Sequence, residues 1–226
     1  MILNNIDNAM LGASQVEKIM CGSVTVWENF PAELQKVEYI EATGSQYLDT
    51  GLIFDTVHYK YNIECEMNNE NGNQLFGMYY GYCHGVDIWD GVYQFCDTNS
   101  TIINTPFSAG TKLKINVNHE TKTISGESSS NTFSHTFTGD FFPSSSVYPV
   151  ILGGCWTSWD NTFRSFGKGK IYGFEYFAKD VQDTEYILKG KFIPCYRKSD
   201  NKAGLYDIVR KQFLTSATST DFVLPT

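Results

Sequence analysis

Cleaving a glycosidic bond takes two carboxyl groups facing each other across a groove, one to give a proton and one to attack or to activate water. The stretch Gly85-Val-Asp-Ile-Trp-Asp90 supplies two carboxylates. In a regular strand side chains alternate, so Asp87 and Trp89 share one face, Asp90 takes the other, and the pair does not converge. Glu64 and Glu66 do share a face, but Lys60 and Asn62 lie along it too, which describes a solvated charged surface rather than a catalytic dyad. The four histidines, His58, His84, His119 and His135, fall in separate segments without metal-ligand spacing, and there is neither a Gly-x-Ser-x-Gly motif nor a phosphate loop. Asp97 and Asn99 are donors of the kind calcium takes, yet two of them make an ordinary loop. The expectation is a protein that is not an enzyme and holds no metal or other cofactor.

Aromatic side chains are the better candidates, because flat rings beside glycine-rich turns can stack on sugar faces. Tyr79, Tyr80, Tyr82, Trp89, Tyr93, Trp156 and Trp159 stand in or near such turns. The tract from Trp156 to Thr162 reads as a loop with two exposed rings, with Asp160 and Asn161 as hydrogen-bonding neighbours. The residues expected to touch a carbohydrate are therefore Trp156, Trp159, Asp160, Asn161, Trp89 and Tyr93. The competing reading places most of these rings in a core or between subunits.

Such residues must be positioned by strands and turns. Aromatics make up 15% of the 226 residues and charged residues only 19%, with 19 glycines among many Ser and Thr, a composition that favours strands over helices. The length suits one medium all-β domain with an appendage. A net charge of −8 with scattered Lys and Arg argues against a nucleic-acid partner. No apolar run approaches the roughly 18 residues of a membrane span, and Met1-Ile-Leu-Asn-Asn-Ile-Asp7 is no secretion signal, so the chain is expected to be soluble. The six cysteines lack any C-x-x-C pair and several sit in apolar strand contexts, which predicts buried free thiols rather than disulfides.

Residues 1–29 differ from the rest. They hold two copies of a ten-residue Gly-x-x-x-Val unit, Gly12 to Val16 and Gly22 to Val26, each glycine suited to a tight turn and each valine to the start of a short strand. The pair reads as a β-ribbon with too little apolar surface to stand alone, so Val16, Ile19, Val24, Val26 and Trp27 are expected to dock on another chain. An amphipathic helix from Asp7 to Met20, stopped at Gly22, is the alternative. A boundary follows at Asn29-Phe30-Pro31, and residues 30–226 form the body.

In the body, Tyr59 to Met67 and Lys112 to Asn118 alternate strictly, as half-buried strands do. Further strands are expected over 37–41, 46–51, 74–82, 86–95, 122–125, 132–138 and 147–152. Lys170 to Phe177, apolar on both faces, reads as a central strand. Lys191 to Leu214 reads as a closing meander of three strands and two polar turns. About a dozen strands and no long helix predict a two-sheet antiparallel sandwich.

Val37-Glu-Tyr-Ile-Glu-Ala-Thr-Gly-Ser-Gln-Tyr-Leu-Asp-Thr-Gly51 resembles the opening of concanavalin A-like (laminin G-like) jelly-roll domains in phage and gut-bacterial proteins. Gly169 to Tyr176, Phe192 to Asp200 and Gly204-Leu-Tyr-Asp207 are similar to the closing pattern of the same domains, and together these stretches span most of residues 35–215. The paired Gly-x-x-x-Val units, above all Cys21-Gly-Ser-Val-Thr-Val-Trp27, resemble segments at the N-termini of phage virion proteins. Glucanases of this architecture carry Glu-x-Asp-x-x-Glu on a strand, which this chain lacks. The resemblance implies a jelly-roll sandwich on a short N-terminal β-ribbon. It implies a virion-surface protein, a capsid decoration or a head or tail fibre, held to other virion proteins by residues 1–29, self-associated and touching glycans, and the expected oligomer is a trimer. The alternative it leaves is a lectin-like carbohydrate-binding module on a bacterial cell surface. Arg197, Asp200 and Asp207 read as markers of the fold rather than site residues.

Overall fold

The computed structural model describes residues 9–11, 14–16, 18–21, 24–28, 30–54, 58–76, 78–79, 83–97, 101–139, 148–157, 162–180 and 182–225, with backbone alone over 9–28, 54, 78–79, 83–85, 148–149, 155–157 and 162–166. Among the described residues there is no helix, so none long and apolar enough to cross a membrane.

The chain begins with two antiparallel pairs, β1 (Ala9–Leu11) with β2 (Ser14–Val16) and β3 (Lys18–Cys21) with β4 (Val24–Glu28). Strands therefore stand where the helical alternative would run. They do not start at the valines: Val16 ends β2 and Val26 lies inside β4. The body opens with β5 (Leu34–Lys36), β6 (Ile40–Thr43), β7 (Leu48–Phe54) and β8 (Tyr59–Met67). Next come β9 (Met78–Tyr79), β10 (Cys83–Trp89), β11 (Val92–Cys96), β12 (Ile102–Ser108), β13 (Lys112–Asn118), β14 (Thr123–Glu127) and β15 (Thr132–Thr136). After them run β16 (Tyr148–Leu152), β17 (Gly154–Thr157), β18 (Thr162–Phe166) and β19 (Lys168–Ala178). The meander β20 (Ile187–Arg197), β21 (Lys202–Asp207) and β22 (Gln212–Thr215) closes the fold.

The larger sheet runs β15-β14-β13-β8-β19-β20-β21-β22, with β6 beside the start of β19 and β5 beside the end of β20. The smaller runs β12-β11-β10-β9-β17-β18, and β16 pairs with β7. Among the described strands every pairing is antiparallel except β9 with β17. The molecule is the expected all-β sandwich.

Its core lies between the sheets. Tyr59, Tyr61, Ile63, Cys65 and Met67 of β8 and Leu113, Ile115 and Val117 of β13 meet Val86, Ile88, Tyr93 and Phe95 of the smaller sheet. Each large side chain so buried contributes about 1.5–3 kcal/mol. Tyr93, an expected sugar contact, is fully buried: its hydroxyl accepts from the Met67 amide at 2.7 Å and donates to the Thr111 carbonyl at 2.9 Å, tying sheet to sheet. Burial pushes that phenol above its ordinary pKa.

Two strands differ from their sequence reading. Val86 to Phe95 is a hairpin, because Asp90 and Gly91 both take positive φ, 48° and 78°, as a two-residue hairpin turn requires. β19 is central, but not because both faces are buried. Its register slips between Ile171 and Gly173, a bulge that lets Ile171, Phe174 and Tyr176 all point inward and turns Tyr172 out. β12, unread in the sequence, carries Pro106 and sits at a sheet edge, where a missing amide proton is tolerated.

The two motifs that carry the family resemblance meet in space. Asp207, fully buried, accepts from the amides of Lys191 at 3.1 Å and Val209 at 2.9 Å and pairs with the Arg210 guanidinium, which donates to the Thr50 carbonyl. Gly51 makes room, since a β-carbon there would lie 3.2 Å from an Arg210 nitrogen. Thr50 in turn donates to the Val150 carbonyl at 2.7 Å. Buried Gln46 accepts from the Thr43 amide at 2.9 Å and donates to the Asp221 carbonyl at 2.9 Å, fastening the C-terminal segment. Arg197 and Asp200 form a two-point ion pair across the first meander turn.

Asp207→Ala strands buried amides and a guanidinium, so unfolding in urea is expected to show a loss of about 3 kcal/mol. Asp200→Ala, at an exposed pair, is expected to leave the midpoint nearly unchanged. Cys65, Cys96 and Cys195 are free and buried, and burial pushes Cys195 up to about 12. A chromogenic disulfide reagent at pH 8 is therefore expected to leave these three thiols unmodified until denaturant is added, as peptide mapping would show.

Candidate functional site

The outer face of the larger sheet is built by alternation. In β8 the inward residues are buried, so Lys60, Asn62, Glu64 and Glu66 project outward. Register sets Lys114 of β13 opposite Glu64, while on the other side Gly173 of β19 lies opposite Glu64 and Glu175 opposite Asn62. The bulge puts Gly173, with no side chain, at the floor of a half-open groove of about 250 Å³ walled by Asn62, Glu64, Lys114, Glu175 and Lys191.

Most charges here are neutralised in place. Glu175 accepts from Asn62 at 3.1 Å and pairs with Lys191 at 3.1 Å. Burial works against its charge, but the bonds from Asn62 and Lys191 outweigh it and hold the carboxyl below its ordinary pKa. Glu64 pairs with Lys112 at 3.1 Å, whose ammonium also lies 3.7 Å from the centre of the Tyr172 ring. Tyr172 donates to Glu66 at 3.0 Å, and Glu66 pairs with Lys170 at 3.0 Å. Burial first, and Glu66 second, push the Tyr172 phenol up. Lys114 is exposed and forms no ion pair among the described residues. An acid locked in its charged form is a poor proton donor near neutrality but a good acceptor for hydroxyl groups. The groove is thus equipped to hold a polar ligand.

A second polar surface lies on the smaller sheet. Trp89 is 48% exposed, and two residues before it Asp87 stands level with Gln94 and Asn104 across β10, β11 and β12. Gln94 donates to Asn104 at 2.6 Å, and the Asp90 amide donates to the Asn71 side chain at 2.8 Å. Asp87 is buried and Asp90 has left the strand for the turn.

Of the expected sugar contacts, then, Trp89 is at the surface and Tyr93 in the core. Trp156 belongs to β17, opposite Met78 of β9, and Thr162 opens β18, so the tract is not one loop from Trp156 to Thr162. The Trp156 side chain and all of Trp159, Asp160 and Asn161 lie outside the described residues, as do the rings of Tyr79, Tyr80 and Tyr82. In the N-terminal hairpins Val16 pairs with Ala9, Ile19 with Trp27 and Val24 with Cys21, while Val26 falls at a register shift; their side chains are likewise outside.

The remaining candidates have structural surroundings. Asp97 is buried, its two carboxylate oxygens accepting from the amides of Thr101 at 2.8 Å and Gly139 at 3.0 Å, and Asn99 lies outside the described residues. His119 packs on Tyr59, His135 on Phe137, and His58 lies 3.8 Å from Glu120; the His84 side chain is outside. Among the described residues no three His, Cys, Asp or Glu side chains gather as metal ligands do. Sequence reasoning missed the groove, whose only local sign is a glycine inside the aromatic run Tyr172 to Phe177.

Glu175 is held below its ordinary pKa, so its paired form contributes fully above the unfolded value of about 4.3 and fades as pH falls below it. The Asn62 side-chain amide signals in a pH titration are therefore expected to stay constant from pH 7 to 5 and to shift only below that range. No model of a known protein family matches the chain, and no curated protein matches it either.

Proposed function

We propose that the protein is a non-catalytic structural component of a bacteriophage particle, a capsid decoration or a head or tail fibre. Residues 1–29 attach it to other virion proteins, and the sandwich is displayed outward to glycans. The observation that carries this reading is the separateness of the N-terminal hairpins: among the described residues, β1–β2 and β3–β4 are two-stranded sheets that continue neither sheet of the sandwich. Isolated two-stranded sheets are marginal in water, so they gain stability by lying on another chain. The resemblance of Cys21 to Trp27 to phage attachment segments points to a virion as that surface, where fibres and decorations rely on symmetric association, here taken as a trimer. The exposed Trp89 with its neighbouring amides, and the groove over Gly173, support glycan contact.

Removal of residues 1–29 tests the attachment. The shortened chain is expected to melt with the body of the full chain, to sediment as a monomer where the full chain sediments as a trimer, and to be missing from purified particles. Particles that incorporate the shortened chain normally would overturn the proposal. A full chain that binds glycans while its gene lies among no capsid or tail genes would favour the bacterial lectin-like module instead.

A further inference from the structure

Among the described residues the two large sheets end on β12, β18, β22 and β15, and the first three of these edges are blunted. β12 carries Pro106 and slips register against β11, and β18 carries Arg164 and meets β17 across another slip. β22 follows Arg210 and Lys211, and the chain beyond it turns back so that the Ala217 amide donates to the Tyr47 carbonyl. Proline, charge, bulges and cover are the devices that keep an edge from adding a further strand. β15 has none of them. Thr132-Phe-Ser-His-Thr136 contains no proline, lysine, arginine or acid and pairs with β14 without a slip, and Thr132, Ser134 and Thr136 are exposed.

The hydrogen-bond phase of this edge follows from its two ends. The Phe137 amide donates to the Lys122 carbonyl at 2.8 Å, and the Ser128 amide donates to the Asn131 carbonyl at 2.9 Å. Bonded and non-bonded pairs alternate along an antiparallel ladder, so Phe133 and His135 spend their backbone groups on β14. Thr132, Ser134 and Thr136 therefore turn both amide and carbonyl outward from the sheet.

That pattern is its own complement about a two-fold axis at Ser134. An antiparallel copy sets Ser134 beside Ser134 and Thr132 beside Thr136, and each of these pairs exchanges two backbone hydrogen bonds. The side chains agree with the register. Threonine meets threonine on the outer face, where Thr136 already lies 3.3 Å from Thr123, and such cross-strand pairs are favourable. On the inner face Phe133, packed against Phe95 at 5.9 Å, meets the copy's His135, itself edge-on to Phe137 at 4.5 Å. Two bodies of net charge −8 repel, but that field is screened beyond about 8 Å, and an uncharged strand sets no like charges opposite each other. The nearest acid, Glu127, lies one strand inward beside Thr132, so it and its copy fall at opposite ends of the junction.

We infer that β15 is a second association surface, which pairs with β15 of another copy and joins two larger sheets into one. Five residues a side cover less than the roughly 1,200 Å² of a stable interface, so the contact is weak between free molecules and forms where copies are crowded. A two-fold contact cannot close within a three-fold assembly, so it links one such assembly to the next.

Single cysteines in the full chain test the register. In the paired state Ser134 stands about 5.5 Å from its copy between Cα atoms, within the reach of a disulfide. Thr132 stands roughly 13 Å along the strand from its own copy, out of reach. At about 1 mM chain, the crowding a short tether gives, mild oxidation is expected to bridge Ser134→Cys chains pairwise through position 134, as peptide mapping would show. Thr132→Cys and Thr136→Cys are expected not to bridge alone but to bridge each other when mixed. In sedimentation, the unmodified chain is expected to gain mass between about 10 μM and 1 mM, and Ser134→Lys, with an unchanged melting midpoint, to lose that gain. No bridge at position 134, or equal bridging of all three variants, overturns the inference. A chain that is monomeric at low concentration yet bridges at 134 in this pattern supports it and removes the trimer, and a trimer that never bridges there does the reverse.

Discussion

The buried carboxylate of Asp207 is the constraint on which the sandwich closes. Alone it would be costly to desolvate, and it is kept only because backbone amides and the Arg210 guanidinium surround it. Arg210 also donates through Nη2 to the Thr50 carbonyl, so the closing meander is pinned to β7. The contact spans about three quarters of the sequence, and neither end can move without exposing the other. This explains why the two stretches that resemble jelly-roll families are rich in Thr, Gly, Asp and Gln: they are fastening points, not a ligand site.

Electrostatics divide the remaining surface. On the outer face of the larger sheet, acids and bases alternate between neighbouring strands, so Glu66 meets Lys170, Glu64 meets Lys112 and Glu175 meets Lys191. Exposed pairs of this kind contribute little stability each. Their effect is to fix side chains in place, and a bulge set among fixed charges becomes a shaped groove where a regular strand would offer a flat surface. The same slip in register that aims Ile171 and Phe174 at one core opens the floor at Gly173.

Strands with unbroken alternation, β8 and β13, were legible in sequence because one face is buried along their whole length. The closing meander was legible from its turns, whose Asn201 and Lys211 take the left-handed φ that its polar clusters suggest. Legibility failed where tertiary context decides. Asp90-Gly91 is a strong hairpin signal, but the apolar residues on both sides read as one strand across it. Lys170 to Phe177 shows apolar residues on both faces because a bulge interrupts the period, which composition alone cannot distinguish from two-sided burial. Tyr93 illustrates the limit for sites: a tyrosine beside a turn serves a sugar or a core equally well until the partners of its hydroxyl are known, and here they are the backbone of Met67 in the opposite sheet and of Thr111 just before β13. The groove draws on β8, β13, β19 and β20, so no single stretch announces it.

The two parts of the chain solve the edge problem in opposite ways. In the body, long strands find neighbours: β8 lies between β13 and β19, and the chain's last residues return to pair Val223 with Glu41 beside β6. Among the described residues the N-terminal hairpins have no such neighbour in the sandwich sheets, and strands of three to five residues pair too little backbone to stand alone. A free edge is a liability in a monomer and a resource in an assembly, where it is covered by pairing with another copy or another protein. A body that fastens its own ends is thus joined to a segment whose described strands pair only with each other.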